Sequence, residues 1–160
     1  IASFGHAIDN LRVHHNTFDG IEDHGLCNLP GVTNFFFTHN TVVVKKDMNI
    51  LNIGGQNKPG PANNSTLSHN LFVKDGSPAC IAPVVNLHGG SKSESLIIRD
   101  NAFWNWAPDG DSPLVVDPKL ERANEGDRLL RLPADSPVRA AGRGNMEDAV
   151  AERPIPSAAK

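Results

Sequence analysis

Short apolar clusters alternate with polar turn residues along most of the chain, and four of them share one order of residues. They are Leu11-Arg-Val-His-His-Asn-Thr-Phe18, Phe35-Phe-Phe-Thr-His-Asn-Thr-Val42, Ser65-Thr-Leu-Ser-His-Asn-Leu-Phe72 and Leu96-Ile-Ile-Arg-Asp-Asn-Ala-Phe103. Their asparagines, Asn16, Asn40, Asn70 and Asn101, stand 24, 30 and 31 residues apart. Three positions before each comes Val13, Phe37, Leu67 or Ile98; two positions after it comes Phe18, Val42, Phe72 or Phe103. A second pattern follows in three copies: Cys27-Asn28-Leu29, Leu51-Asn52-Ile53 and Val85-Asn86-Leu87, each with Gly31, Gly55 or Gly89 two residues on. The offset from first to second Asn is 12, 12 and 16. Each repeat therefore predicts at least two short strands at a fixed offset, with a variable insert.

A repeat of this kind cannot bury its apolar side chains alone. It does so by stacking on its neighbours at about 4.8 Å, so that like residues superpose. An Asn column then bonds amide to amide from one repeat to the next, and Asn suits the bend because it tolerates left-handed backbone angles. The predicted fold is all-β, a right-handed parallel β-helix of about four coils. Residues 1–112 form the coils, 113–142 a C-terminal capping segment and 143–160 a tail. A leucine-rich repeat is the structural rival, but its helical segment has no counterpart. The inserts 56–64, 75–83 and 107–113 are candidate groove walls or plain surface loops. The chain opens at Ile1 in mid-repeat, which predicts a longer protein whose preceding coils, or an oligomer partner, cover the first coil.

Composition sharpens this picture. Fourteen Gly, 12 Pro and no Tyr argue for tight turns over long helices. The net charge of −3 supplies no general field for nucleic acid or an anionic membrane, and no apolar run is long enough to span a bilayer. Cys27 sits in the stacked core column and Cys80 in an insert, about two coils apart, too far for a disulfide. Cys27 is expected to be a free, buried thiol, and the two cysteines fix neither a compartment nor a zinc site. The tail from Arg143 onward reads as a linker, either free or docked on the coils.

The repeated Asn-Thr-Phe pattern resembles the pectin-lyase-like superfamily of right-handed β-helices. Pro113-Leu-Val-Val-Asp-Pro-Lys-Leu120, Arg128-Leu-Leu-Arg-Leu-Pro-Ala-Asp-Ser-Pro137 and Ala141-Gly142 are similar to the closing segment of many secreted members, over residues 8–142 in all. The nearest group is the alginate lyase and chondroitinase B family of polysaccharide lyases. The resemblance implies a secreted, extracellular or periplasmic, carbohydrate-active protein whose partner is a polysaccharide. It extends to fold more than to activity. That family's basic pair, an Asn-x-Lys and an Arg further on, has no match here. The aspartate motifs of polygalacturonases and the Arg-Pro motifs of pectate lyases are also missing, which points to catalytic machinery upstream of Ile1.

Three functions compete. A lyase must neutralise a uronate carboxylate with Ca²⁺, Arg or Lys, remove the C5 proton and protonate the leaving oxygen; His24, Lys45, Lys46 and Arg99 are its candidates. A glycoside hydrolase needs two carboxylates, and Glu22 and Asp23 are the best-placed acids, although neighbours on a strand point to opposite faces. A non-catalytic sugar-binding or adhesive module needs neither. Arg12, His14 and Arg99 are outward positions able to line a groove for an acidic sugar, or else solvated strand surface. Trp104 and Trp106 either stack on sugar rings or cover the end of the core. His15, His39, His69 and Asp100 form a predicted outer column, readable as a metal or acid–base site or as a solvated turn; no metal ligand set is assigned.

Overall fold

The computed structural model describes residues 7–23, 25–54, 60–88, 91, 95–122 and 130–145. Within them the chain passes through four strand positions in fixed rotation. The first circuit is β1 (Ile8–Asp9), β2 (Arg12–His14), β3 (Thr17–Ile21) and β4 (Cys27–Leu29). The second is β5 (Val32–Thr33), β6 (Phe36–Thr38), β7 (Thr41–Val44) and β8 (Leu51–Ile53). The third is β9 (Ala62–Asn63), β10 (Ser65–Ser68), β11 (Leu71–Lys74) and β12 (Val85–Leu87). The fourth contributes β13 (Leu96–Arg99) and β14 (Ala102–Trp104), and β15 (Leu114–Val115) follows. Corresponding strands pair in parallel, giving sheets β1-β5-β9, β2-β6-β10-β13, β3-β7-β11-β14-β15 and β4-β8-β12.

The apolar columns legible in the sequence are in register. Val13, Phe37, Leu67 and Ile98 align across one sheet, and Phe18, Val42, Phe72 and Phe103 across the next. Cys27, Leu51 and Val85 align in a third. All of these point into one core, in which Phe35, Phe37, Phe72 and Phe103 are fully buried. Burying one such ring contributes about 2–3 kcal/mol, which explains why aromatic and branched residues recur at these offsets.

The bend between the second and third strand of each circuit corrects one expectation. The left-handed residue is the one before the Asn: His15, His39, His69 and Asp100 have φ of 54–58°, while the asparagines turn their amides inward. Asn40 Nδ2 donates to Val13 O at 2.9 Å and to Asn70 Oδ1 at 3.2 Å. Its own Oδ1 accepts from the backbone N and the Nδ2 of Asn16. Asn70 repeats this one circuit on, with Phe37 O and Asn101 Oδ1. Asn40, Asn70 and Asn101 are fully buried, and such amides are tolerated only because their bonds are filled. A second left-handed column, Asn10, Asn34 and Asn64, stands five residues before the first. It was legible as a constant offset and was missed, as was the β1-β5-β9 sheet beside it.

Close approach fixes two glycines. A Cβ on Gly60 would lie 1.7 Å from Pro30 O, and one on Gly110 (φ 79°) would lie 2.2 Å from Ile98 O. Gly110 belongs to the segment that closes the free edge of β13, where Asp111 N donates to Ile98 O and Asp100 N to Asp111 O.

After β15 the chain does more than cap the last circuit. The outward side chains of the five-stranded sheet are apolar, and Val43, Leu71, Val73 and Ala102 form a second core with Leu132 and Val138 of the C-terminal segment. That segment holds the antiparallel pair β16 (Glu121–Arg122) and β17 (Leu130–Arg131) and a single turn, α1 (Pro137–Ala140). The 113–142 segment is thus a cover on a sheet face as well as a terminal strand. The described start of the tail docks instead of hanging free. Arg143 Nη1 donates to Asn101 O, Gly144 N to His69 O, and Asn145 to the hydroxyls of Thr41 and Thr17. The rest of the tail lies outside the described residues.

Candidate functional site

Among the described residues, no segment comparable to the C-terminal cover packs over the outer face of β2-β6-β10-β13. Its first outward column is Arg12, Phe36, Thr66 and Ile97, and its second is His14, Thr38, Ser68 and Arg99. Arg12 and Arg99 therefore stand at opposite ends of one face, about 14 Å apart along the stack at the usual strand spacing. The Arg12 guanidinium lies 5.3 Å over the Phe36 ring, a cation–π contact that holds it across the face. Ser68 is buried, so the face is interrupted there.

Along the edge of this face the imidazoles of His15, His39 and His69 stack in parallel, with centroids 5.0 and 5.1 Å apart. His14 Nδ1 lies 3.0 Å from His15 Nδ1, a bond that requires one of the two nitrogens to carry the proton. Burial first, and then the neighbouring imidazoles, hold His39 below the usual histidine value. The column ends on Asp100, flanked by Arg99 Nε at 3.8 Å and Arg143 Nη2 at 4.0 Å. Rings stacked at this spacing cannot converge on one ion, and among the described residues no three His, Cys, Asp or Glu are placed to hold a metal.

The predicted catalytic residues separate into two places. Glu22 Oε1 and Lys45 Nζ form an exposed ion pair at 2.7 Å. Each stabilises the other's charge, lowering the Glu22 carboxyl and raising the Lys45 ammonium. Lys46 is exposed and adds to the lowering at Glu22. This pair lies beyond the five-stranded sheet, on the first two circuits, whereas Arg99 lies on the fourth. His24 lies outside the described residues. With Glu22 held by Lys45, the described carboxylates here offer calcium no cage.

The two tryptophans part company. Trp104 faces outward and is 41% exposed, while Trp106 is 4% exposed, touches Phe72 and donates its Nε1–H to Ala82 O at 2.9 Å. Asn105 between them is left-handed, φ 52°, which reverses the alternation of a strand and turns Trp106 inward. Trp106 is thus core and not a stacking platform. Both cysteines are free and buried, and burial pushes each thiol up to about 11. Cys80 Sγ donates to Asp47 Oδ1, which also accepts from Ile81 N and Ala82 N. Asp47 thereby fastens the 75–83 insert to the preceding circuit.

A pocket of about 490 Å³ opens between the five-stranded sheet and its C-terminal cover, with Trp104, Asp75, Asn105 and Asp117 on its wall. Asp75 belongs to an insert foreseen as a groove wall. Asp117 carried no signal in the sequence, because only the folding-back of the cover brings it there. Comparison of the chain with protein-family models, with curated proteins and with solved structures finds no match.

Proposed function

We propose that the chain is part of a right-handed parallel β-helix of the pectin-lyase-like kind, from a secreted or periplasmic polysaccharide lyase. Its substrate is a uronate-containing polysaccharide lying on the outer face of β2-β6-β10-β13. The observation that carries this reading is the pair of guanidiniums, Arg12 and Arg99, at the two ends of one strand face, with His14 next to Arg12. Guanidinium forks suit carboxylates, and two of them one face-length apart suit a polymer with a carboxylate on every sugar. In β-elimination a base removes the C5 proton and an acid protonates the leaving oxygen. His14 supplies this face with an imidazole, the side chain most often used for such transfers. Lys45, whose ammonium is held by Glu22, lies off this face and takes no part in the proposed proton transfers.

The separation of Lys45 from Arg99 favours a second reading, a non-catalytic sugar-binding module on the same face. One experiment distinguishes them. The chain is incubated with alginate, pectate and glycosaminoglycans, while ultraviolet absorbance follows the unsaturated uronate product. Product that disappears in Arg99→Ala and His14→Ala supports the lyase. Binding weakened about tenfold by Arg12→Ala or Arg99→Ala, with no product, selects the binding module. No binding to any of the three overturns both.

A further inference from the structure

We infer that the pocket beside Trp104 is a second carbohydrate site, built for an uncharged pyranose ring, on the side of the molecule away from the guanidinium face. In the outward column of the five-stranded sheet, Val43, Val73 and Trp104 are in register. The cover buries the first two to 4% and 6%, yet leaves the indole 41% exposed at the mouth of the pocket. A large apolar ring left open beside a cavity, when its neighbours in the same column are sealed, is unoccupied binding surface. An indole face matches the C–H face of a pyranose.

The polar part of the wall fits the hydroxyl edge of the same ring. Asp75 and Asp117 present carboxylates, which accept hydrogen bonds from hydroxyls. The rim is preformed: Asn105 Nδ2 donates to Lys74 O at 3.0 Å and to Gly76 O. Lys74 is 6% exposed, and its ammonium donates to Asp75 O at 2.5 Å and Gly76 O at 3.3 Å. Lys74 lines the cavity together with Asp75 and Asp117, but its ammonium is committed to backbone carbonyls of the rim. Asp117 Oδ1 accepts from Lys119 N at 2.8 Å, and the two carboxylates outnumber the one cation. A uronate would meet like charge there, and a neutral sugar would not. The pocket volume of about 490 Å³ lies within the range of small-molecule sites.

The inference rests on the carbohydrate-active reading but not on the guanidinium face, so the two fail separately. The 160-residue chain is titrated with cellohexaose and mannohexaose as neutral probes and with an oligogalacturonate hexamer as the acidic one. Tryptophan fluorescence reports the pocket, since Trp106 is buried. A saturable change with at least one neutral hexamer is expected. Trp104→Ala, checked for folding by circular dichroism, should weaken that binding by about tenfold or more as measured by calorimetry. Asp117→Asn, which keeps the shape, should let the acidic hexamer perturb the Trp104 fluorescence, which it does not do in the parent chain, where it binds the guanidinium face. Arg99→Ala should leave neutral binding unchanged. Two results overturn the inference: no neutral hexamer perturbs the fluorescence at millimolar concentration, or the acidic hexamer binds the parent as tightly as the neutral ones and loses that binding in Trp104→Ala. Neutral binding at Trp104 without any acidic-polysaccharide binding sinks the guanidinium face and leaves the pocket standing.

Discussion

The two large sheets of this molecule are built from adjacent strands of the same circuits, yet their outer faces have opposite fates. The face of β2-β6-β10-β13 carries Arg12, His14, Thr38, Thr66 and Arg99 beside Phe36 and Ile97, and among the described residues no apolar segment covers it. The face of β3-β7-β11-β14-β15 carries Val43, Leu71, Val73 and Ala102 and lies under the C-terminal segment. Alternation of apolar and polar residues marks β2 and β10 of the first sheet, though not β6 and β13, and the Thr41-Val-Val-Val44 run, buried at every position, marks the second. Within one circuit, therefore, sequence pattern decides which face is free to meet a ligand and which must recruit its own chain.

The sharpest way to break this contrast is to place the same charge on each face. Leu71→Asp puts a carboxylate beneath the cover and should cost about 4 kcal/mol or more in urea unfolding. Thr66→Asp on the open face should stay within about 0.5 kcal/mol. Comparable losses would mean that the two faces are equally covered. Weakening the cover itself comes next. Leu132→Ala removes a buried side chain of the second core and should cost about 2–4 kcal/mol. A smaller effect is expected for Ser136→Ala: its buried hydroxyl donates to Pro118 O at 2.7 Å and pins the cover's own fold, so the loss should be about 1 kcal/mol.

The smallest effect concerns the imidazole column at the edge of the open face. His39 lies below its usual value of 6.5 in the folded protein, so the unfolded chain binds the proton more readily. Its contribution to stability is complete above that pH and is lost as pH falls through it. Thermal melts between pH 8 and pH 5 should show a decline that His39→Gln reduces. An unchanged pH profile in that variant would assign the decline elsewhere.

The inner columns were legible because stacked circuits demand the same side chain at the same offset, and Val13, Phe37, Leu67 and Ile98 satisfy that demand without any long-range information. The inward amides of Asn40 and Asn70 were legible for the same reason, though the left-handed angle belongs to the histidine before each. Other features depend on where chain direction reverses or returns. Trp104 and Trp106 share a parity that predicts one face, and a single left-handed Asn105 separates them. Asp117 reaches the pocket only because the cover folds back, and no local pattern encodes that return. The predicted site residues Glu22 and Lys45 do meet, since they hold similar offsets in successive circuits, whereas Arg99 stands on another sheet in the fourth circuit.

The docked tail also changes how the molecule should come apart. In a stack where each layer touches only its neighbours, layers fray from the ends and stability is a sum of local terms. Here the polypeptide at 143–145 contacts Asn101, His69, Thr41 and Thr17, one on each of the four circuits. The Asn145–Thr17 bond joins residues 128 apart in sequence. Loosening the first circuit therefore also breaks its bond to the 143–145 segment, a link between non-neighbouring layers that should raise the cooperativity of unfolding.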